Sequence, residues 1–320
     1  MNQWQGRKVA FLGDSITDKC HVGTTKNYWQ FLEEYLGIQP LVYGINGDQW
    51  IGLQAQAEKL KAEHGSDVDA IIVFVGTNDF NGSVPIGEWW SFREEEANSN
   101  GVIMKKMRRI ANMGDSTVCG RINRVMAYLK TNFPLQQIIL LTPIHRGFAQ
   151  FGELNVQPEE SFPNKLGVYL DDYIRTTKEA GSIWSVPVID LHSLSGLFPV
   201  SDAYTRFFHD PETDRLHPNA AGHERIAKTL MYQLLALPAT FRAAPDIARR
   251  ARNSVGETRD YNLLSENCHM FTEYCINGKR DGNGILSSVV LALWDKFNLT
   301  ASNPHRLLDM WRSTGITADD

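Results

Sequence analysis

The stretch Ala70–Asp79, AIIVFVGTND, decides the fold class of this chain. It opens with an unbroken apolar run rich in β-branched side chains, which is typical of a parallel strand that is buried on both faces of a sheet. Two polar residues, Asn78 and Asp79, follow the run almost directly. Ligands of open α/β sheets bind beyond the carboxyl ends of the strands. The stretch therefore predicts a buried strand and, at its end, a candidate site residue, Asn78.

Outward from this strand, apolar runs alternate with helical patterns in both directions. Short runs predict four further strands, at Lys8–Leu12, Pro40–Tyr43, Ile138–Leu141 and Pro187–Leu191. Apolar residues at helical spacing predict helices at Lys26–Leu36, Trp50–His64, Arg121–Lys130, Lys165–Ala180 and Asn219–Leu235. Strands separated by helices imply βαβ units, so we predict an α/β fold with a parallel sheet and helices on both faces.

Two segments lie outside this alternation. Phe80–Cys119 is a long excursion after the third strand, and connections of this length are usually lids, binding loops or insertions. Trp89 and Trp90 within it are expected either to pack in the core or to face a substrate.

The alternation of strands and helices ends near Pro238. We therefore expect a domain at residues 1–242, followed by a mainly helical C-terminal appendage of unknown function at residues 243–320.

Composition narrows the class of protein and its partners. The 320 residues include 32 basic and 37 acidic side chains, a net charge of −5. This balance argues against nucleic acid or an anionic membrane as the main partner. No apolar run approaches the roughly 18 residues of a membrane span, and the N-terminal residues lack a signal-peptide pattern. We expect a cytoplasmic protein, or an exported one if a leader has been removed, whose partner is a small molecule; its oligomeric state stays open.

Polar blocks at four predicted strand ends or helix starts supply the parts of an acyl-transfer site. A serine becomes a nucleophile when a base takes its proton, and that base needs an acid to orient it. Ser15, His217 and Asp214 are the candidates for these roles. Donors for an oxyanion are the backbone N–H groups of Ser15 and Gly47 and the side-chain amide of Asn78. The blocks are Gly13-Asp14-Ser15, Gly44–Asp48, Gly76–Asp79 and Asp214–Pro218.

In this order the blocks resemble the SGNH/GDSL hydrolase family over about residues 7–240. The resemblance implies a flavodoxin-like three-layer sandwich with a five-stranded parallel sheet. It implies that Ser15 is both the nucleophile and an oxyanion donor, that Gly47 and Asn78 complete the oxyanion hole, and that Asp214 and His217 complete the triad. Such a site needs no metal and no organic cofactor.

The expected function is a serine ester hydrolase that removes a small acyl group from a carbohydrate, because an aromatic-rich excursion suits the flat face of a sugar. A lysophospholipase or thioesterase is the alternative, and an inactive carbohydrate-binding protein is the non-enzyme alternative. A nucleotide-binding module is excluded, since the turn after the first strand lacks both glycine-rich phosphate patterns. Six further histidines have no comparable partner pattern and are interpreted as structural or surface residues: His21, His64, His145, His192, His209 and His223.

A second, partial resemblance falls in the C-terminal segment. Residues of about 250–280 contain Asn267-Cys268-His269-Met270-Phe271, similar to the Asn-Cys-x-x-Phe block of lecithin:retinol acyltransferase-like thiol proteins. A thiol nucleophile needs a base. In that family the histidine lies upstream, on strands of the same domain, and residues 240–260 contain no such segment. Cys268 is therefore a possible but disfavoured second site.

Overall fold

The computed structural model describes residues 2–238. The expected appendage at residues 243–320, with Cys268, lies outside the described residues. The strands are β1 (Lys8–Gly13), β2 (Gln39–Val42), β3 (Ala70–Phe74), β4 (Trp90–Ser99), β5 (Val102–Ala111), β6 (Gln137–Leu141), β7 (Ala149–Gln150), β8 (Val156–Gln157), β9 (Val188–Ile189), β10 (Phe208–Asp210) and β11 (Asp214–Pro218). The α-helices are α1 (Tyr28–Leu36), α2 (Leu53–His64), α3 (Thr77–Asn81), α4 (Val118–Asn132), α5 (Leu170–Trp184), α6 (Leu191–Leu194) and α7 (Ala220–Ala236).

The main sheet has five strands in the order β2-β1-β3-β6-β9, and every neighbouring pair is parallel. The central strand β3 pairs with β1 from Val9↔Ala70 to Gly13↔Phe74 and with β6 from Ala70↔Gln137 to Phe74↔Leu141. Because all five strands run the same way, their carboxyl ends meet at one edge of the sheet. The predicted α/β class and the five-stranded parallel sheet are confirmed.

Successive residues along the strands point to opposite faces of the sheet and belong to two separate apolar cores. Ile71 and Val73 pack with α2, α4 and α5 on one face of the sheet. Ile72 and Phe74 pack with α1 and α7 on the other face. Each of these four side chains is at most 2% exposed. The sheet is thus buried on both sides, which explains why β3 reads as a continuous apolar run and why the fold has three layers.

The last helix of the sandwich begins directly after a short extended segment. Asn219 is its N-cap, since its Oδ1 accepts hydrogen bonds from the backbone N–H groups of Ala221 at 3.0 Å and Gly222 at 3.2 Å. Pro218 precedes the cap and biases His217 toward an extended backbone. His217 therefore lies at a fixed point, one residue before a proline and two before a helix cap.

Two parts of the structure differ from the sequence-based expectation. The excursion Phe80–Cys119 is largely an antiparallel hairpin, β4–β5, whose strands pair from Trp90↔Ala111 to Ser99↔Val102. The segment Asp214–Pro218, which the sequence indicated only as the approach to the last helix, is itself a strand and lies in a small sheet of order β10-β11-β7-β8. Most residues of β4 and β11 are polar, and the apolar residues of β5 neither alternate nor form one long run, so no segment shows the apolar pattern of a buried strand.

None of the helices within residues 2–238 has the length and apolar character needed to cross a lipid bilayer.

Candidate active site

Ser15 lies just beyond the carboxyl end of β1, and the chain there is held by one side chain of α2. The Gln56 amide accepts a hydrogen bond from the Gly13 N–H at 2.9 Å and donates one to the Gly13 carbonyl at 2.8 Å. The same amide nitrogen reaches Asp48 Oδ2 at 2.7 Å. Ser15 itself is only 4% exposed. Both the N–H and the carbonyl of Gly13 are therefore held by Gln56, which fixes the backbone that leads to Ser15.

The structure brings Ser15, His217 and Asp214 into one chain of hydrogen bonds. His217 Nε2 lies 3.0 Å from Ser15 Oγ, across a sequence separation of 202 residues. On the other side of the ring, His217 Nδ1 lies 2.9 Å from Asp214 Oδ2. Asp214 Oδ1 accepts the backbone N–H groups of Leu216 and His217 at 3.1 and 3.0 Å. Both carboxylate oxygens are thus engaged within β11 itself.

The charge of Asp214 decides the tautomer of the ring. Burial raises the pKa of this carboxyl, but hydrogen bonds from His217 and His209 outweigh burial and hold the pKa below its ordinary value. An ionised carboxylate can only accept hydrogen bonds. His217 Nδ1 therefore carries the hydrogen, and in the neutral ring Nε2 is the acceptor that faces the Ser15 hydroxyl. This arrangement can move a proton from serine to histidine.

His209 is a further site residue that the sequence did not single out. Its Nδ1 lies 3.1 Å from the same Asp214 Oδ2, although its side chain is 55% exposed. Gly23 lies against the Cβ atoms of both histidines: a Cβ built on it would lie 2.7 Å from the Cβ of His217 and 3.1 Å from that of His209. Gly23 also has a φ of +72°. No sequence signal marks either residue, because each acts through a contact made only in the fold.

The segment that carries Gly47 is tied to the Ser15 segment. The Ile45 N–H donates to the Gly13 carbonyl at 3.1 Å, and the Asn46 N–H donates to Asp18 Oδ2 at 2.8 Å. Gly47 follows, with a φ of +82° and no atom within 4 Å of the position a Cβ would take. Glycine adopts this conformation at little cost. Its backbone is therefore both held in place and open to an approaching ligand.

Asn78 joins the end of β3 to the same segment. Its side-chain Nδ2 donates to the Asp48 carbonyl at 2.9 Å, and its own carbonyl accepts Gln49 Nε2 at 2.8 Å. An amide nitrogen has two hydrogens. One holds the loop next to Gly47, and the other is available for a ligand.

Two buried carboxyls lie beneath these loops. Burial raises the pKa of Asp14, which is 2% exposed, to about 7, against a hydrogen bond from the Ile16 N–H that lowers it. Burial likewise raises the pKa of Asp79 to about 6, although Asp79 accepts the Trp50 N–H at 3.0 Å and pairs with Arg121 at 2.8 Å. Asp79 therefore fastens α3 to the Trp50–Gly52 turn, while Asp14 has no cationic partner among the described residues.

Trp89 and Trp90 lie at the base of the β4–β5 hairpin. Trp89 packs against the apolar core of one face and donates from Nε1 to Glu179 of α5 at 3.0 Å. Trp90 has the Arg109 guanidinium over its ring at 4.9 Å. Within residues 2–238, no hydrogen bond or ring contact joins either tryptophan to Ser15 or His217. The aromatic ring beside the site is that of Phe151, whose centroid lies 5.3 Å from that of His217.

Comparisons with known proteins agree with this architecture. A model of the GDSL-like lipase/acylhydrolase family matches residues 11–225. A comparison with curated proteins finds no match. Among solved structures, a protein from Lactobacillus plantarum is 25% identical with a TM-score of 0.55, over 72% of this chain and 97% of that one. A possible lipase from Chitinophaga pinensis is 21% identical with a TM-score of 0.53, over 72% of this chain and 100% of that one.

The structural likeness shows a shared fold, and the family match spans more than half of the chain, from β1 into α7. The chain therefore belongs to the GDSL-like lipase/acylhydrolase family, whose members are hydrolases that act on esters.

Proposed function

We propose that this protein is a serine ester hydrolase that uses Ser15, His217 and Asp214 as a catalytic triad. One observation carries the proposal: His217 lies between Ser15 Oγ at 3.0 Å and Asp214 Oδ2 at 2.9 Å. These distances are within reach for direct proton transfer. The carboxylate both orients the ring and stabilises the positive charge that the ring gains.

In the first half of the reaction, His217 Nε2 takes the proton of Ser15 as Oγ bonds to the ester carbonyl carbon. The oxygen of the resulting tetrahedral intermediate receives hydrogen bonds from the N–H groups of Ser15 and Gly47 and from the Asn78 amide. When the intermediate collapses, the bond to the alcohol breaks and the imidazolium protonates the leaving oxygen. The acyl group remains on Ser15.

In the second half, water replaces the alcohol. His217 removes a proton from the water as its oxygen attacks the acyl carbon, and the same donors stabilise the second intermediate. Collapse releases the acid and returns the proton to Ser15. The open space around Gly47 supports its role as an oxyanion donor, because an oxyanion must approach the backbone without meeting a side chain.

The surroundings of the site favour a small acyl group on a carbohydrate. An open depression of about 570 Å³ lies on the Asp214 side of the triad: its lining includes His209, which bonds Asp214, and Gly23, which lies against the Cβ of His217, but not Ser15. The rest of the lining is small or polar, including Thr24 and Thr25. Such walls suit hydroxyl-bearing rings, whereas a long acyl chain needs an apolar cleft.

The alternative is that the protein is a lysophospholipase or a thioesterase. Such an enzyme would differ from a carbohydrate esterase in the length of the acyl chain that it prefers. The test is a panel of nitrophenyl esters from acetate to palmitate, run alongside acetylated sugars. The proposal expects activity to be highest on acetate and on the sugars. A maximum at palmitate would favour the lysophospholipase, and binding of sugars without any turnover would favour an inactive binding protein.

The identity of the nucleophile is tested by labelling the full chain. A fluorophosphonate should modify Ser15 and stop ester hydrolysis, whereas iodoacetamide should leave hydrolysis running. Ser15→Ala should lower kcat by about 10⁴–10⁶-fold, and Cys268→Ala should keep activity within about twofold. Cys20 is exposed as well, so only a loss of turnover that occurs on alkylation of the wild type and is absent from alkylated Cys268→Ala would reverse these roles.

A further inference from the structure

Three side chains with metal-binding groups meet outside the Ser15 site. His145 follows β6, His192 lies in α6 directly after β9, and Glu160 comes from the connection between β8 and α5. One imidazole nitrogen or carboxylate oxygen from each residue lies within 4.8 Å of those of the other two. Nothing in the sequence predicts this, because the three residues belong to separate segments and show no ligand spacing.

Glu160 is held as a metal-binding carboxylate usually is. One of its oxygens, Oε1, is hydrogen-bonded to His145 Nδ1. The other, Oε2, accepts the backbone N–H of Arg146 at 2.8 Å. The Glu160 side chain is 13% exposed and that of His145 is 22% exposed. The Arg146 N–H orients the carboxylate from outside the cluster, as is usual for the ligands of a metal site, whereas the bond to His145 joins two of the three groups.

His192 presents a nitrogen that the described part of the protein leaves unsatisfied. Its Nδ1 is buried and has no hydrogen-bond partner within residues 2–238. Its ring lies against that of His145, with the centroids 3.5 Å apart and the planes tilted by 34°. The backbone of His192 is fixed by Thr142, whose Oγ1 accepts the His192 N–H at 3.0 Å. A buried ring nitrogen without a partner costs free energy unless a ligand satisfies it.

We propose that His145, Glu160 and His192 bind a divalent ion of the zinc class, with the fourth position left to water. Two imidazoles and one carboxylate suit Zn²⁺, whereas Mg²⁺ and Ca²⁺ prefer oxygen ligands alone. Tetrahedral bonds of about 2.0–2.2 Å place ligand atoms roughly 3.3–3.5 Å apart. The widest pair must close by at most about 1.5 Å from the present limit of 4.8 Å, whereas the hydrogen-bonded atoms of His145 and Glu160 must move apart to admit the ion.

The ion would fasten the segment that supports His217. Between His145 and Glu160 the chain forms β7. The carbonyl of Phe148, directly before β7, accepts a hydrogen bond from the Arg215 N–H of β11 at 2.9 Å. Phe151, in the same segment, packs its ring 5.3 Å from that of His217. The ion does not touch the proposed nucleophile or its base. Its effect is therefore expected on stability and on the position of β7, not on the bonds that are made and broken.

The test is metal binding by the full chain after treatment with a chelator. Calorimetric titration with Zn²⁺ should give one site that His192→Ala or Glu160→Gln weakens at least about a hundredfold. His64→Ala, a half-buried histidine at the end of α2, and Cys268→Ala are the matched controls and should bind as the wild type does. The Cys268 control separates this site from zinc held by the C-terminal segment.

Two further readouts keep the proposal falsifiable if His192→Ala does not fold. Co²⁺ added to the wild type should give the intense visible absorption of a tetrahedral site, and excess Mg²⁺ should not displace it. Zn²⁺ at a hundred times its Kd should raise Tm by roughly 5–10 °C in the wild type and by much less in Glu160→Gln. Unchanged Zn²⁺ affinity in Glu160→Gln, or no tetrahedral Co²⁺ spectrum, would overturn the site.

Discussion

His209 and His217 approach the same oxygen of Asp214, with their Nδ1 atoms 3.1 and 2.9 Å from Oδ2. The two rings differ in burial: the side chain of His217 is 6% exposed and that of His209 is 55% exposed. Asp214 therefore receives one hydrogen bond from inside the protein and one from the wall of the open depression. The outer ring can influence the carboxylate without taking part in proton transfer, which makes His209 a positioning residue.

The first prediction follows from that shared oxygen. His209→Ala should lower kcat on nitrophenyl acetate by about 3–10-fold, because a solvent-exposed hydrogen bond to a charged group contributes less than a buried one. Asp214→Ala should lower kcat by 10³-fold or more, since it removes the group that fixes the His217 tautomer. His209→Gln, which offers a new donor, should recover part of the loss. Equal losses in His209→Ala and Asp214→Ala would place His209 in the chemistry itself.

The second prediction concerns the Asn78 amide. Asn78→Ala should lower kcat by about 10²–10³-fold with little change in KM, because the amide bonds the developing oxyanion more strongly than the ester carbonyl. Asn81→Ala, an exposed asparagine on the same helix, is the control and should change neither constant by more than twofold. A rise in KM at constant kcat would reassign Asn78 to ground-state binding.

The third prediction separates crowding from backbone strain at Gly23. Gly23→Ala puts a methyl group 2.7 Å from the Cβ of His217, and the displaced ring should lower kcat by about 10–100-fold. Gly167→Ala is the matched control, because Gly167 has nearly the same φ, +74° against +72°, and open space around it. Both variants should lose stability through strain, but only Gly23→Ala should lose activity at a temperature where both are folded. Equal kcat in the two variants would show that Gly23 does not set the His217 position.

The fourth prediction uses the buried Asp14. Burial raises its pKa to about 7 in the folded protein, whereas the unfolded chain ionises near the ordinary value of about 4. Between these values the folded state holds a proton that the unfolded state has lost, so this group makes stability fall as pH rises. Asp14→Asn removes that titration. The free energy of unfolding of Asp14→Asn should equal that of the wild type near pH 4 and should exceed it by a growing amount as the pH rises to 7.

Urea unfolding between pH 4 and 8 measures the effect. The gain of Asp14→Asn over the wild type should level off above pH 7 at about 2–4 kcal/mol, the order given by a shift of this size in a fully buried group. Glu33→Gln, on the exposed side of α1, is the control and should show no such trend. A stability difference that stays constant across the pH range would contradict the buried-carboxyl account.

The sequence predicted the sheet because β3 and β6 are fully buried, and all of their residues except Gln137 are apolar. Parallel strands end at one edge, so the sequence also indicates that Ser15 and Asn78 follow neighbouring strand ends, whereas Asp214 and His217 lie on β11 of the small sheet. The sequence did not predict His209, Gly23 or Phe151, whose roles depend on contacts across the fold. His145 and His192 were interpreted as structural or surface residues for the same reason: a cluster assembled from three segments leaves no spacing to recognise.

The β4–β5 hairpin has a practical consequence for anyone who wishes to attach this protein to a support. Its two ten-residue strands turn at Asn100-Gly101, both in left-handed backbone conformations. At about 3.3 Å per residue the tip extends roughly 30 Å along the strands from Trp90. Nearly all of its side chains are exposed or half-buried. A reactive cysteine or peptide tag inserted at the tip would give an immobilisation handle at the end of the hairpin most distant from its base at Trp90 and Ala111.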